Sequence, residues 1–341
     1  MSIQQLFCSV SDLVADMEKP GSDEARLLQA IREASDVLQK EIGYFLPVKQ
    51  TTQMRGSGRV YLYPFPPILA LTGSLTNDES ALILNTDFSL LRQAWANGPY
   101  IGLELKRDSA VNAWCDKDPD SVLIPCRAGF YERVIEIDAT VQDSTEQTAS
   151  QSTLKVSNGG KVSPGMVLKI GDEQELVTGW GDPTASVTAL NGAISATDDI
   201  ITLDNGALVY VGEIIRAGFE QIRIKDKRDH ECFVDRGWNN TGQVAHADNV
   251  EVDVYRTVTV ERGVNGTDAA AHAINTDISR YMVPDDILFL TKQIATLIIN
   301  KARGGYAGKS GNGETGQVFY HDVFPRFEIE RVKENYQLGK S

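Results

Sequence analysis

PDDILFLTKQIATLIINKAR, residues 284–303, is the longest apolar run with helical spacing in the chain, and it follows a long, polar, glycine-punctuated middle. Pro284 suits the first helical turn, where its missing N–H costs nothing; Asp285 and Asp286 suit the positive end, and Gly304-Gly305 suit the stop. Ile287, Phe289, Leu290, Ile294, Leu297 and Ile298 spread over more than half of the helix surface, so a helix here needs partners on several sides. Near the other end of the chain, Ser22 can cap a helix whose first turn carries Asp23 and Glu24. Its apolar residues Leu27, Ile31, Ala34, Leu38 and Ile42 recur every three or four positions up to Gly43. Residues 9–18 read as a shorter helix closed by Pro20-Gly21. The expected class is α+β, with a helical core built from both chain ends; two independent helical hairpins are the alternative.

Inward from the first helices, RVYLYPFPPILALT (59–72) sets Val60 and Leu62 on one side and Tyr61 and Tyr63 on the other. Pro64, Pro66 and Pro67 then rule out a central strand, leaving an edge strand that enters a stiff extended segment. YIGLELKR (100–107) is an alternating strand and SVLIPCR (121–127) a further short one, ended by Gly129-Phe130. Residues 138–158 are rich in Thr, Ser, Gln and Asp, the composition of a linker or an exposed hairpin.

Two internal repeats follow. PGMVLKIGDEQELV (164–177) lies over VGEIIRAGFEQIRI (211–224) at an offset of 47, sharing two glycines and the pairs Glu173-Gln174 and Glu220-Gln221. VDRGWNNTGQVAHA (234–247) matches VERGVNGTDAAAHA (260–273) at an offset of 26, with eight of fourteen positions identical. Unequal offsets fit nesting: an outer β-module (138–191 and 256–281) interrupted by an inner one (192–255). Flanking them, 1–137 and 282–341 would be the two parts of the helical core. Each module should bury its apolar faces only partly, as a small barrel or sandwich leaning on the other. In the corners Arg236-Gly237-x-Asn239 and Arg262-Gly263-x-Asn265, glycine supplies backbone freedom and Asn a self-directed hydrogen bond. His246 and His272 read as structural, because neither copy repeats a second Cys, His or Asp at ligand spacing.

Composition narrows the function. The 33 basic and 47 acidic residues give a net charge of −14, which argues against wrapping nucleic acid but not against a surface past which DNA slides. No run approaches the roughly 20 apolar residues of a membrane span. MSIQQLFCSV lacks the features of an export signal, so synthesis in a cytoplasm is expected. Cys8, Cys115, Cys126 and Cys232 have neither CxxC spacing nor scaffold density and read as reduced, packed thiols. In GGYAGKSG (304–311) only three residues separate Gly304 from Gly308, and the run follows a helix, so it is no phosphate-binding loop. DKDPD (116–120) carries Pro119 and lacks the downstream Glu of a calcium loop. With no GxSxG and no HExxH, the expectation is a non-enzymatic protein with no catalytic residue, no metal and no cofactor.

In their order, these residues resemble the head–tail connector, or adaptor, proteins of tailed bacteriophages. The resemblance is carried by the helix Leu27 to Gly43, Gly56-Ser57-Gly58 with Leu62 to Pro67, Gly129-Phe130, Val283-Pro284-Asp285-Asp286, and Phe324 to Tyr336. It spans about residues 5–135 and 281–338; the family joins Gly-Phe to Val-Pro almost directly, whereas about 150 residues intervene here. The intervening units resemble small Arg-Gly-x-Asn β units of other phage structural proteins. The resemblance implies a virion protein of the neck: a ring, dodecameric in the family, beneath the portal protein. Tail or neck proteins would attach below it, and genomic DNA would pass through without sequence-specific contact or any membrane role. Glu33, Asp36 and Glu41 would line the channel. Tyr306, Lys309, Phe319, Tyr320, Phe324, Phe327 and Tyr336, in the glycine-rich loop and the tail after it, would touch the portal or a neighbour. A tail or baseplate protein that binds a partner through its β-modules is the alternative.

Overall fold

The computed structural model describes residues 3–15, 23–92, 99–303, 309–312, 317–320 and 325–336. It is an α+β fold of several helices and multiple antiparallel sheets. Helix α1 spans Val10–Val14 and starts in a capping box: Asp12 N–H donates to Ser9 Oγ at 3.2 Å, and Ser9 N–H to Asp12 Oδ2 at 3.1 Å. The next helix, α2 (Glu24–Glu41), has Asp23 as its N-cap, whose carboxylate accepts from Arg26 N–H at 2.8 Å; Ser22, the cap expected from sequence, lies outside the described residues. Helix α3 spans Asp285–Arg303 and α4 Arg326–Tyr336.

One apolar core holds residues from both ends of the chain. Leu27, Ile31, Ala34 and Leu38 of α2 share it with Ile287, Leu290, Ile294 and Ile299 of α3 and Ile329 and Val332 of α4. The buried face of α3 follows the i, i+3, i+7 rhythm of a one-sided helix. Phe289 departs from the expectation of an all-round apolar helix: it is 59% exposed. The last helix is tied down by Tyr336, whose ring meets Phe45 at 4.9 Å and Phe130 at 5.7 Å and whose hydroxyl donates to Asp286 at 3.1 Å.

Between α2 and α3 the chain makes three large sheets. The first has eight strands: β1 (Val48–Met54), β2 (Tyr61–Leu62), β3 (Ile68–Leu71), β4 (Leu75–Asn77), β5 (Ser80–Leu82), β6 (Phe88–Arg92), β7 (Tyr100–Leu105) and β8 (Val122–Ala128). Its order is β2-β7-β3-β8-β4-β5, with β1 also on β8 and β6 on β7. β2 lies at an edge, but β3, directly after Pro66-Pro67, lies between β7 and β8. The prolines therefore do not keep the 59–72 stretch out of the sheet interior: they precede β3 and leave its own N–H groups free to pair. The chain continues through β9 (Arg133–Thr140), β10 (Glu146–Gln147), β11 (Thr153–Lys155), β12 (Val167–Ile170) and β13 (Glu173–Trp180). Then come β14 (Thr184–Ala189), β15 (Ile200–Thr202), β16 (Ile214–Ala217), β17 (Glu220–Arg228), β18 (Glu231–Trp238) and β19 (Glu251–Val254). Last are β20 (Thr257–Glu261), β21 (His272–Ala273), β22 (Asp277–Met282) and a hairpin after α3, β23 (Lys309–Asn312) with β24 (Gln317–Tyr320).

The second sheet is ordered β11-β20-β13-β12-β22-β9, and the third, read from its β15 end, β15-β18-β17-β16-β19-β14. Strands at matching places are related by the sequence offsets: β11, β12 and β13 lie 47 residues before β15, β16 and β17, and β20 and β22 lie 26 residues after β18 and β19. The connections differ at one point. β17 and β18 are joined by a turn at Asp229-His230, whereas β13 and β20 are joined through all of β14–β19. β14 pairs with β19, so Thr184–Ala189 lies in the third sheet, a few residues outside the 192–255 read from sequence.

Both of these sheets close over their own apolar residues, among them Leu154, Leu168, Val177 and Val258 in one and Ile201, Ile215, Ile222 and Val252 in the other. They also send Val167, Leu176, Ile214, Trp238, Tyr255 and Val264 into the helical core. The middle of the chain is therefore packed against the helices on a broad front. Residues 138–158 are not a linker: Val141, Gln147, Leu154 and Val156 are fully buried. Their polar neighbours bond locally, with Asp143 accepting from Gln151 Nε2 at 2.9 Å and Lys155 N–H at 3.2 Å.

Candidate functional site

The two repeated segments build the same buried ionic corner twice. In the third sheet, Glu220 at the start of β17 receives Arg236 Nε and Nη2 at 2.7 Å each, and Gly237 N–H at 3.0 Å. His246 Nε2 lies 2.9 Å from Glu220 Oε2, and Val244 N–H donates to that oxygen at 3.3 Å. In the second sheet Glu173 receives Arg262 Nε and Nη2 at 2.8 Å each, Gly263 N–H at 3.0 Å, Ala270 N–H at 2.9 Å, and His272 Nε2 at 2.9 Å. The bidentate fork suits guanidinium and carboxylate. Each arginine then reaches back to main-chain carbonyls of the preceding segment: Arg236 to Ser195 and Asp198, Arg262 to Thr148 and Gln151, again 47 residues apart.

Burial works against charge on Glu173 and Glu220. The arginine, the histidine and the backbone N–H groups outweigh it and hold both carboxyls below the usual glutamate value. Both glutamates are therefore acceptors, so His246 and His272 donate through Nε2–H. The backbone explains the glycine: Gly237 and Gly263 have φ of 65° and 60°, and Asn239 and Asn265 both have φ of 54°, in the left-handed region that Gly and Asn tolerate.

The asparagines do not bond to their own turn, as the sequence suggested; they hold the N-terminal part of the chain. Asn265 accepts from Gln4 N–H at 2.8 Å and donates to Gln4 O at 3.1 Å and Gln174 Oε1 at 2.9 Å. Asn239 accepts from Glu24 N–H at 3.0 Å and donates to Gln221 Oε1 at 2.7 Å. Gln174 Nε2 also donates to Pro47 O at 2.8 Å. Each Glu-Gln pair thus divides its work: Glu fixes the Arg and His, and Gln fixes the Asn that grips the helical end. Thr241 and Thr267 complete the set by accepting Gln221 N–H and Gln174 N–H.

A second convergence joins residues far apart in sequence. The Phe130 ring lies 5.5 Å from Phe45, 6.0 Å from Phe65 in the proline-rich segment and 5.7 Å from Tyr336 of α4. Gly43, at the end of α2, has φ of 123°, and a Cβ there would lie 3.2 Å from the Phe130 ring and 3.4 Å from Phe65.

Compared with family models, curated proteins and solved structures, the chain matches none.

The residues singled out from sequence fall in several places. Arg236, Gly237, Asn239 and His246 meet in one corner, and Arg262, Gly263, Asn265 and His272 in the other. Glu33, Asp36 and Glu41 are all exposed on α2, Asp36 pairing with Lys40 of the same helix at 2.5 Å and Glu41 with Lys333 of α4 at 3.0 Å. Tyr336 turns inward onto Phe45 and Phe130, because its ring completes the core where α4 crosses, while Phe327 is 77% exposed. Lys309, Phe319 and Tyr320 lie in the hairpin β23–β24; Tyr306 and Phe324 lie outside the described residues. Glu173, Gln174, Glu220 and Gln221, the hubs of the corners, are residues the sequence reading noted as repeated without assigning a role. Glu173, Glu175 and His272 have ligand atoms within 4.8 Å of one another, but Arg262 sits among them, with Nε 3.1 Å from Glu175.

Proposed function

We propose that this chain is a structural head–tail connector subunit of a tailed bacteriophage, assembling as a ring under the portal protein and lengthening the DNA channel. Its core would be the helices of both chain ends, and the second and third sheets would be two nested copies of one β-module. The convergence on Phe130 carries the reading: Gly43, Phe65 and Tyr336 come from separate segments of the resemblance and meet at its Gly-Phe. The net charge of −14 supports it, since an acidic wall lets DNA pass without adhering. Glu33 and Asp36 would face the lumen, and the hairpin β23–β24 with Phe327 would reach the portal or a neighbour. Negative-stain imaging of the protein mixed with its portal tests this: an added ring is expected, and portal particles without one overturn it.

Phe219 favours a second reading, a tail or baseplate protein that binds through its modules. It is 98% exposed at the β16–β17 turn, where the other copy has Asp172. A deletion separates the two. Gly181 N–H donates to Thr257 O at 2.8 Å, so replacing residues 182–256 with Asn-Gly closes a two-residue hairpin between β13 and β20. The shortened chain loses the Asn239 grip and part of the helical core's cover, and is expected to fold with lower stability and keep its portal binding. Loss of portal binding by a folded deletion protein would favour the second reading.

A further inference from the structure

The two corners share their Glu, Gln, Arg, Gly, Asn, Thr and His, but the buried pair beside them differs in polarity. Where the third sheet has Ile222 and Ile194, the second has Glu175 and Gln147, all of them buried. Gln147 Nε2 donates to Glu175 Oε2 at 3.1 Å and to Thr153 O at 3.2 Å. The remaining oxygens, Gln147 Oε1 and Glu175 Oε1, are both buried without a hydrogen-bond partner. Glu175 Oε1 has the ion-pair contact of Arg262, whereas Gln147 Oε1 is an orphaned buried acceptor, which is costly, and a proton on Glu175 would offer it a donor.

We propose that Glu175 and Gln147 form a buried proton-binding site, an acid–amide pair in which Glu175 Oε1–H donates to Gln147 Oε1, and that loss of this proton loosens the β10–β21 ribbon. Gln147 and His272 face each other in that ribbon, so the site bears on both of its strands. Around Glu175 stand Arg262, with Nε 3.1 Å away, His272, with Nε2 3.6 Å away, Glu173 and Asp143. Arg262 is already committed bidentately to Glu173, so one guanidinium faces two carboxyls and leaves the second in excess. A metal cation in the same place would be set against that fixed positive charge. Burial raises the Glu175 carboxyl, Arg262 and Gln147 pull it down, Glu173 and Asp143 raise it, and together they leave it pushed up to about 7.

The sign follows from linkage. With the folded value above the 4.5 of a free glutamate, the closed ribbon holds a proton that the open one releases. Opening therefore grows about tenfold per pH unit between about 4.5 and 7 and then levels off. Hydrogen exchange of the full chain, corrected for intrinsic rates, tests it at about pH 5.5 and about pH 8. Protection of 145–151 and 270–274 is expected to fall about 30-fold, while 192–198 and 244–248, where Ile194 pairs with His246, stay unchanged. Glu175→Gln, and the pair Gln147→Ile with Glu175→Ile that copies the other corner, should both be flat with pH. Equal change in both ribbons, no change in either, or a Glu175→Gln protein that keeps the dependence overturns the site. So does Zn2+ or Mg2+ restoring protection at the higher pH in the native chain, which would make it a cation site.

Discussion

Replacing Glu220 with alanine is expected to cost about 3–5 kcal/mol, much of the stability a domain of this size holds, because Arg236 is left buried without its counter-charge. The side chains of Arg236 and Glu220 are 4% and 0% exposed, so water cannot take over. The same change orphans the N–H groups of Gly237 and Val244 and the ring of His246. Guanidinium unfolding followed by tryptophan emission reads it, since Trp238 lies two residues beyond Arg236. Replacing both charges, Glu220→Leu with Arg236→Met, should recover part of the loss, because an apolar pair of similar volume removes the stranded charge. Glu173→Ala should cost less than Glu220→Ala, as Glu175 stands 3.1 Å from Arg262 and accepts its charge by ionising. If Glu220→Ala costs no more than the roughly 1 kcal/mol of an exposed pair, the corner does not hold the sheet. Acid acts in the same sense. Glu173 and Glu220 titrate below their unfolded value, so their contribution is complete above about 4.5 and fades as pH falls through the lower, folded values.

How much of this was legible follows from how local each signal is. The face of α2 was readable because spacing alone decides which side of a helix is apolar: Leu27, Ile31 and Leu38 are buried as their rhythm requires. The repeat was readable because identity at a fixed offset needs no geometry. What the repeat was for was not. Asn239 and Asn265 bond to Glu24 and Gln4, more than 200 residues away, and no local rule distinguishes such a bond from a turn that closes on itself. The same distance hid Tyr336, whose place beside Phe45 depends on where α4 crosses. The polarity of 138–158 misled for a related reason. Side chains that look solvated in a linear reading, such as Asp143 and Gln151, bond to one another, and Gln147 is enclosed with Glu175. A usable signal was present at the corners: a Glu-Gln pair kept in both copies, where most surface charges had diverged, marks groups tied to the kept Arg, His and Asn.

Ile294→Ala should cost about 2–5 kcal/mol as a buried large-to-small change, and its reach matters more than its size. Ile294 is fully buried in the core that also holds Ile31 and Leu38, so the cavity opens against α2 as much as within α3. If the two chain ends are one cooperative body, hydrogen exchange of the variant should quicken in 27–41 and 287–299 together. Exchange in α4, which packs there through Ile329 and Val332, should follow. Opening confined to α3 while α2 keeps its protection would mean that the ends are separate helical hairpins that merely touch. That result would also remove the base of the connector reading, since a wall segment drawn from both termini has to resist load as one piece. The corners predict the next step. Asn239 grips the first turn of α2 and Asn265 grips Gln4, so loosening α2 should be felt in the 234–247 corner before the far strands β11 and β15. Protection that instead fails in β11 and β15 first would place the weak point inside the sheets and not at their grip on the helices.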